Sequence, residues 1–186
     1  PNVDITVNGD MRFFISSCFV NTLKFNSAGT TVTIEDDLLT SNDDATIEFP
    51  ATGAASTLTV NGDIDFGNET NTIIQVENGA GGLNHILQLQ GNVLNPSAST
   101  SLIFYRDPAS SAIDLEFIGE ANSDLPAFTI TPELNRVIMN KGTNQTFTAT
   151  INSDFNLNAT ASGSSKPIDI QNGTLILNNA GIDVDV

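Results

Sequence analysis

The chain has few of the residues that mark several common protein classes. It has 186 residues with one cysteine, no tryptophan and one tyrosine, and its 6 lysines and arginines stand against 22 aspartates and glutamates. A single cysteine excludes a disulfide within the chain, and no apolar run approaches the roughly 18 residues that indicate a membrane-spanning helix. The formal net charge of −16 repels nucleic acids and anionic lipids. The sequence therefore predicts no nucleic-acid partner and no membrane insertion.

Helical patterning is missing as well. No segment has apolar residues at 3.6-residue spacing over three turns, and asparagine, threonine, serine and glycine are too frequent for helix interiors. Short runs that alternate between apolar and polar residues are common instead. Such alternation is typical of half-buried strands, so the sequence predicts an all-β protein.

A strand-like run followed by a polar corner recurs along the chain. Residues 6–13 (TVNGDMRF) return 53 residues later as 59–66 (TVNGDIDF), and a weaker copy (VTIEDDLL) lies at 32–39. The last apolar residue before each corner serves as a marker of the repeat: Val7, Ile34, Val60, Leu89, Phe117, Ile151 and Leu177. Five of the six steps between markers are 26–29 residues long. The remaining step, of 34 residues, predicts an inserted loop before Ile151.

A second set of apolar runs lies between the markers, at 23–25, 47–49, 73–76, 102–104, 137–139 and 168–170. Each repeat then holds two or three short strands, which is typical of a parallel β-helix (β-solenoid) with coils of about 26–29 residues stacked about 4.8 Å apart. A Greek-key β-sandwich is the alternative, because it also has short strands separated by turns. A sandwich does not require the corner to recur at a fixed period. We therefore expect one β-solenoid domain over 1–186, and its start and stop in mid-repeat suggest a fragment of a longer chain.

The candidate metal ligands are acidic residues at the corners. Asp36 and Asp37 adjoin one another in the second corner, and Asp63 and Asp65 lie two residues apart in the third. Corner carboxylates of stacked coils that line up with carbonyl oxygens suit Ca²⁺, so a calcium site at these four residues is the one cofactor hypothesis. Turn geometry alone also explains aspartate at a corner, and we prefer this structural interpretation.

A catalytic set is not apparent in the sequence. The single histidine, His85, has no recognisable nucleophile motif beside it and is interpreted as a loop histidine at the start of a strand. Paired carboxylates would suit glycoside cleavage, but few aromatic residues are present to stack on sugars. Cys18 lies in a mostly apolar segment and is interpreted as a buried small side chain. We predict no catalytic residue and favour a non-enzymatic role.

Segments 58–64 (LTVNGDI) and 174–182 (TLILNNAGI) resemble the degenerate repeats of large bacterial surface and secreted proteins, such as autotransporter-passenger-like β-helices and exported adhesins. The resemblance is one of repeat style and carries over no functional residue. It implies an extracellular or cell-surface location and an adhesin, stalk or structural role. Its partners would be cell-surface glycans or proteins, or neighbouring domains of the same chain. The alternatives are a polysaccharide-cleaving enzyme on a β-helix scaffold and a phage tail-spike or fibre segment.

Overall fold

A computed structural model of the chain describes residues 3–13, 21–26, 28–40, 45–67, 73–77, 82–95, 112–129, 131–158, 166–178 and 181–185. These residues form short strands joined by corners, and none of them lies in a helix. The described part of the chain accordingly has no helix long and apolar enough to span a membrane. Cys18 and the apolar run at 102–104 lie outside the described residues.

The strands are short, and one coil contains up to three of them. In chain order they are β1 (Val3–Val7), β2 (Met11–Arg12), β3 (Asn21–Lys24), β4 (Thr30–Ile34), β5 (Leu38–Leu39), β6 (Ala45–Phe49), β7 (Thr57–Val60), β8 (Ile64–Asp65), β9 (Ile73–Val76), β10 (Asn84–Leu89), β11 (Val93–Leu94), β12 (Ala112–Phe117), β13 (Ser123–Leu125), β14 (Glu133–Leu134), β15 (Arg136–Asn140), β16 (Thr148–Ile151), β17 (Phe155–Asn158), β18 (Ile168–Asn172), β19 (Thr174–Leu177) and β20 (Ile182–Asp185). The first sheet has the order β1-β4-β7-β10-β12-β15-β18. The other sheets are β2-β5-β8-β11, β3-β6-β9, β13-β16-β19 and β14-β17-β20. Neighbouring strands are parallel in all of them.

The first sheet stacks the markers of the sequence repeat in register. Val7 lies opposite Ile34, and Ile34 lies opposite Val60. Val60 lies opposite Leu89, which in turn lies opposite Phe117. Parallel pairing of successive coils is the architecture of a β-solenoid, whereas the sheets of a Greek-key sandwich are antiparallel. The predicted parallel β-solenoid is therefore confirmed.

The sequence-based assignment of the last two markers is wrong. The first sheet places Met139 opposite Phe117, and Ile170 opposite Met139. Ile151 and Leu177 lie opposite each other in the sheet formed by β13, β16 and β19. The step of 34 residues therefore does not mark an inserted loop. It joins two residues that lie on different faces of the coil.

The second set of apolar runs is divided in the same way. Leu23 lies opposite Ile47, and Ile47 lies opposite Ile74, so the first three runs stack on one another as expected. The runs at 137–139 and 168–170 instead form parts of β15 and β18 in the first sheet. The predicted assignment of apolar runs to faces of the coil is thus correct for the first three runs. It is wrong for the last two runs, which belong to the first sheet.

Alternation along the strands explains which side chains form the core. In β4, Val32 and Ile34 are buried, and the threonines that alternate with them point to the other face. Inward side chains of successive coils meet in a single cluster, in which the rings of Phe25 and Phe49 stack with their centres 4.6 Å apart. Burial of each large apolar side chain contributes about 1.5–3 kcal/mol. The core thus holds the coils together, and most polar groups lie at corners and on outer faces.

Candidate functional site

Polar side chains at the corner after the first sheet form a ladder of hydrogen bonds from coil to coil. Asp10 Oδ1 accepts the backbone N–H of Asp37 at 3.3 Å, and Asp37 Oδ1 accepts that of Asp63 at 2.7 Å. Asp63 Oδ1 accepts the backbone N–H of Asn92 at 2.6 Å, and Asn92 Oδ1 accepts that of Asp124 at 3.0 Å. We term these five residues the corner ladder.

The corner ladder satisfies backbone groups where the chain leaves the sheet. The backbone N–H of Asp37 donates to Asp10 in the preceding coil, and the backbone carbonyl of Asp37 accepts the N–H of Met11 in that coil at 2.8 Å. Asp63 accepts the backbone N–H of Leu38 in the same manner at 2.9 Å. Hydrogen bonds to a charged acceptor are stronger than those between neutral groups, so the ladder bonds of Asp37 and Asp63 add to the attraction between coils.

The four predicted metal ligands are not brought together. Asp37 and Asp63 belong to the corner ladder, and Asp36 is exposed beside Asp37. Asp65 lies in β8, where its Oδ1 accepts the backbone N–H of Gly67 at 2.9 Å. Among the described residues, no three His, Cys, Asp or Glu side chains form a cluster that could hold a metal ion. Calcium binding at these four positions stays a prediction.

Exposed ion pairs shift the pKa of the groups that they join. The guanidinium of Arg12, 2.8 Å from Asp10 Oδ2, lowers the pKa of Asp10. On the face formed by β3, β6 and β9, Lys24 Nζ lies 2.8 Å from Glu48 and 3.0 Å from Glu77. These carboxylates raise the pKa of Lys24, and Lys24 lowers the pKa of Glu77. Charge on this surface is thus paired between neighbouring coils.

A second ladder crosses the outer face of the first sheet. Thr59 Oγ1 donates to Gln88 Oε1 at 2.7 Å, and Gln88 Nε2 donates to Glu116 Oε2 at 2.9 Å. Asn140 Nδ2 donates to Glu116 Oε1 at 3.0 Å, and Asn172 Nδ2 donates to Asn140 Oδ1 at 3.2 Å. Cross-strand side-chain pairs of this kind stabilise a sheet. This outer ladder therefore also bonds one coil to the next.

A third set of polar residues lies inside the molecule, where the chain returns to the first sheet. Ser56 Oγ accepts the backbone N–H of Thr30 at 3.1 Å, and His85 Nδ1 accepts the backbone N–H of Ser56 at 3.0 Å. His85 Nε2 lies 2.9 Å from the carbonyl oxygen of Pro50. Thr30, Ser56 and His85 are all buried, and we term them the inner column. In the inner column, a side chain of the later coil accepts the backbone N–H of the earlier coil. The corner ladder has the opposite direction, because there a side chain of the earlier coil accepts the backbone N–H of the later coil.

His85 is a neutral core residue. Its exposed fraction is 0%, and its ring stacks on that of Phe49 with the centres 5.0 Å apart. Because Nδ1 accepts a hydrogen bond, the ring proton is assigned to Nε2, which donates to Pro50. Burial lowers the pKa of His85 to about 4. The interpretation of His85 as a loop residue is therefore wrong, because it lies within β10 and faces the core.

Asp114 forms a buried ion pair. Its Oδ2 accepts Arg136 Nε at 2.7 Å, and its Oδ1 accepts Asn135 Nδ2 at 2.5 Å. Burial raises the pKa of Asp114, whereas the hydrogen bonds from Asn135 and Arg136 act in the opposite direction. The exposed fraction of Asp114 is 1%. A polymeric substrate therefore has no direct access to this carboxyl group.

Lys141 is a buried basic residue. Its Nζ donates to the backbone carbonyl of Gln90 at 2.8 Å and to that of Ile118 at 2.6 Å. These carbonyls belong to corners of the two preceding coils, so one side chain joins three coils. Burial lowers the pKa of Lys141 to about 8.

Sequence reasoning missed these buried polar residues, although alternation marks two of them. His85 is two residues before Leu87 and Lys141 is two residues after Met139, so both continue an inward-facing series. Asp114 carries no such signal. It shares the outward-facing series of its strand, and its burial depends on the three-dimensional structure.

Comparisons of the chain with protein-family models, curated proteins and solved structures find no match.

Proposed function

We propose that this chain is a non-enzymatic segment of an extracellular bacterial β-solenoid, with an adhesin, stalk or structural role on the cell surface or in a secreted protein. Its partners would be cell-surface glycans or proteins, or neighbouring domains of the same chain. The proposal combines the solenoid fold with the resemblance of the repeats to those of bacterial surface proteins.

One observation supports this proposal most directly. The polar side chains at the corners and on the first sheet, which would be the natural candidates for catalysis or ligand binding, bond one coil to the next. A solenoid whose polar residues are engaged in this way is suited to holding its shape. A net charge of −16 also favours solubility and opposes association between solenoid edges.

The rival function is polysaccharide cleavage on the same scaffold. Asp114 and Glu116 lie on one face of β12, and burial raises the pKa of Asp114, as a general acid requires. Against this function, Asp114 is buried in its ion pair, and Glu116 accepts hydrogen bonds from Gln88 and Asn140. We therefore favour the structural role.

Parallel assays of cleavage and binding distinguish the two functions. The chain is incubated with acidic and neutral polysaccharides, with and without Ca²⁺, while new reducing ends and unsaturated products are measured. Binding to glycan arrays and to immobilised cell-surface proteins is measured with the same preparation. We expect no turnover, together with saturable binding to a glycan or protein surface.

The variant Glu116→Gln tests the rival function, and Asp65→Asn is its matched control. Each substitution removes a negative charge and keeps an acceptor oxygen. Turnover by the natural chain that disappears in Glu116→Gln, at an unchanged melting temperature, contradicts the non-enzymatic proposal. Failure to bind any member of the arrays contradicts the adhesin role. A trimeric mass in solution favours the tail-spike alternative.

A further inference from the structure

We propose that His85 is an acid-sensitive clasp, which holds the connection between β6 and β7 closed while its ring is neutral and releases it when the ring takes up a second proton. This inference is independent of the proposed surface role.

The clasp joins both ends of one connection. Pro50 is the first residue after β6, and Ser56 is the last residue before β7. The His85 ring, which belongs to the next coil, donates to the carbonyl of Pro50 and accepts the N–H of Ser56. Ser56 in turn accepts the backbone N–H of Thr30 on its hydroxyl oxygen. The ring thus fixes a short surface connection and links it to the coils on either side.

A second proton on the ring conflicts with this arrangement. In the neutral ring Nδ1 is an acceptor, whereas in the imidazolium both nitrogens carry hydrogen. The Nδ1–H would then face the N–H of Ser56 at 3.0 Å, donor against donor. The ring is also fully buried, so a charge there lacks solvent. Protonation therefore requires the Ser56 bond to break and the ring or the connection to move.

Within the described ranges, the strands packed around the ring direct no carboxylate toward it to compensate for its charge. Among the strands around it, β4 and β7 contain no titratable residue, and His85 is the only one in β10. Glu48 on β6, Lys24 on β3, and Asp114 and Glu116 on β12 occupy positions that alternate with the inward-facing ones. Each of these four groups has a polar partner of its own outside the core. Protonation of His85 is thus opposed by burial, and no described strand residue supplies a compensating negative charge beside the ring.

The sign of the pH effect follows from linkage. Burial lowers the pKa of His85 to about 4, and an unfolded chain has a histidine pKa of about 6.5. Between these values the unfolded state holds a proton that the folded state lacks. The unfolding equilibrium constant therefore rises up to about tenfold per pH unit of acidification. The contribution of His85 is fully present above pH about 6.5 and is lost as the pH falls toward about 4, where the clasp opens.

The variant His85→Asn tests the proposal, because its Oδ1 can accept the Ser56 N–H near the position of Nδ1 and does not titrate. Urea unfolding of both chains is measured at pH 7.5, 7, 6, 5 and 4.5. We compare the two chains by the ratio of the unfolding constant of the natural chain to that of the variant. We expect this ratio to be independent of pH above pH 7. Below pH 6 the ratio should rise up to about tenfold per pH unit. The carboxylates titrate in both proteins and cancel in the ratio.

A second measurement decides the matter even if the variant does not fold. Because His85 is the only histidine, its ring proton resonance in the folded natural chain is unambiguous. We expect a titration midpoint near 4, accompanied by faster hydrogen exchange at the Ser56 N–H. A midpoint near 6.5, a ratio independent of pH, or a Ser56 N–H that stays protected through the midpoint overturns the clasp.

Discussion

At the residue scale, Asp37, Asp63 and Asn92 use a side-chain oxygen in the same way. Each accepts the backbone N–H of the equivalent residue in the next coil. Because asparagine takes the place of aspartate in this series, the corner requires an acceptor and not a negative charge. Aspartate recurs at these corners for a structural reason that is independent of metal binding or catalysis.

Substitution of a single ladder residue should show this. Asp63 Oδ1 accepts both the backbone N–H of Asn92 and its side-chain Nδ2, the latter at 3.0 Å. We expect Asp63→Ala to lower the free energy of unfolding by about 2 kcal/mol, since both bonds are lost. Asp63→Asn retains an acceptor and should lose less than about 1 kcal/mol. Urea unfolding at neutral pH measures both.

Asp36→Ala is the matched control for this prediction. Asp36 carries the same charge and is exposed, and its side chain has no hydrogen bond within the part of the chain that the structure describes. Its removal should change stability by no more than about 0.5 kcal/mol. Equal losses in Asp63→Ala and Asp36→Ala would mean that charge, and not the ladder bond, accounts for the effect.

Lys141 gives a pH effect in the alkaline range. Burial lowers its pKa to about 8, whereas an unfolded chain has a lysine pKa of about 10.4. Between these values the unfolded state binds a proton that the folded state has released, so the contribution of Lys141 to stability rises with pH. We expect the urea midpoint of the natural chain, relative to that of Lys141→Met, to increase from pH 7.5 to pH 9.5. A constant difference between the two midpoints contradicts the prediction.

At the element scale, close approach between coils explains a glycine in the third corner. A Cβ on Gly62 would lie 2.6 Å from the backbone carbon and oxygen of Asp36 in the coil beneath. Because backbone is in the way, the coils would have to separate. We expect Gly62→Ala to lower the free energy of unfolding by about 2–3 kcal/mol, as overpacking does.

Gly82→Ala provides a control with a different origin. A Cβ on Gly82 meets no atom within 4 Å, although the residue has a φ of +63°. We expect Gly82→Ala to lower the free energy of unfolding only by the conformational cost of a non-glycine residue at this φ, about 1–2 kcal/mol. The prediction is wrong if thermal or urea unfolding shows Gly62→Ala to be the milder of the two substitutions.

The pattern of strands and corners could be predicted for the first five strands of the first sheet. There the alternating run ends at a marker such as Val60 and a polar corner follows, so the period identifies the coil. In the last coils, β16 is also followed by a polar corner, at 152–154, but it lies on a different face. A parallel solenoid repeats the same strand-and-corner chemistry on more than one face. Its sequence therefore shows the period more clearly than the face.

The sequence predicts some features of the candidate sites and not others. Turn chemistry accounts for the corner aspartates, because a short polar side chain suits a corner in any coil. The inward orientation of His85 and Lys141 follows from alternation with their neighbours, but their bonds to carbonyls and amides of other coils do not. The burial of Asp114 depends on its location in the stack, which no local pattern contains.

At the scale of the whole molecule, side-chain hydrogen bonds join successive coils at several places around the coil. The corner ladder, the outer ladder and the inner column each bond successive coils through side chains. They supplement the backbone bonds of the parallel sheets and the apolar core. The molecule is thereby held together along the stacking direction.

Backbone nuclear Overhauser contacts between strands of successive coils test this stacking most directly. The parallel solenoid predicts contacts between 114–117 and 136–139, and between 123–125 and 149–151. A uniformly labelled sample at neutral pH suffices for the measurement. Backbone contacts between 115–117 and 149–151, with none between 114–117 and 136–139, would contradict the register of the solenoid in its later coils, on which the outer-ladder bond between Glu116 and Asn140 depends.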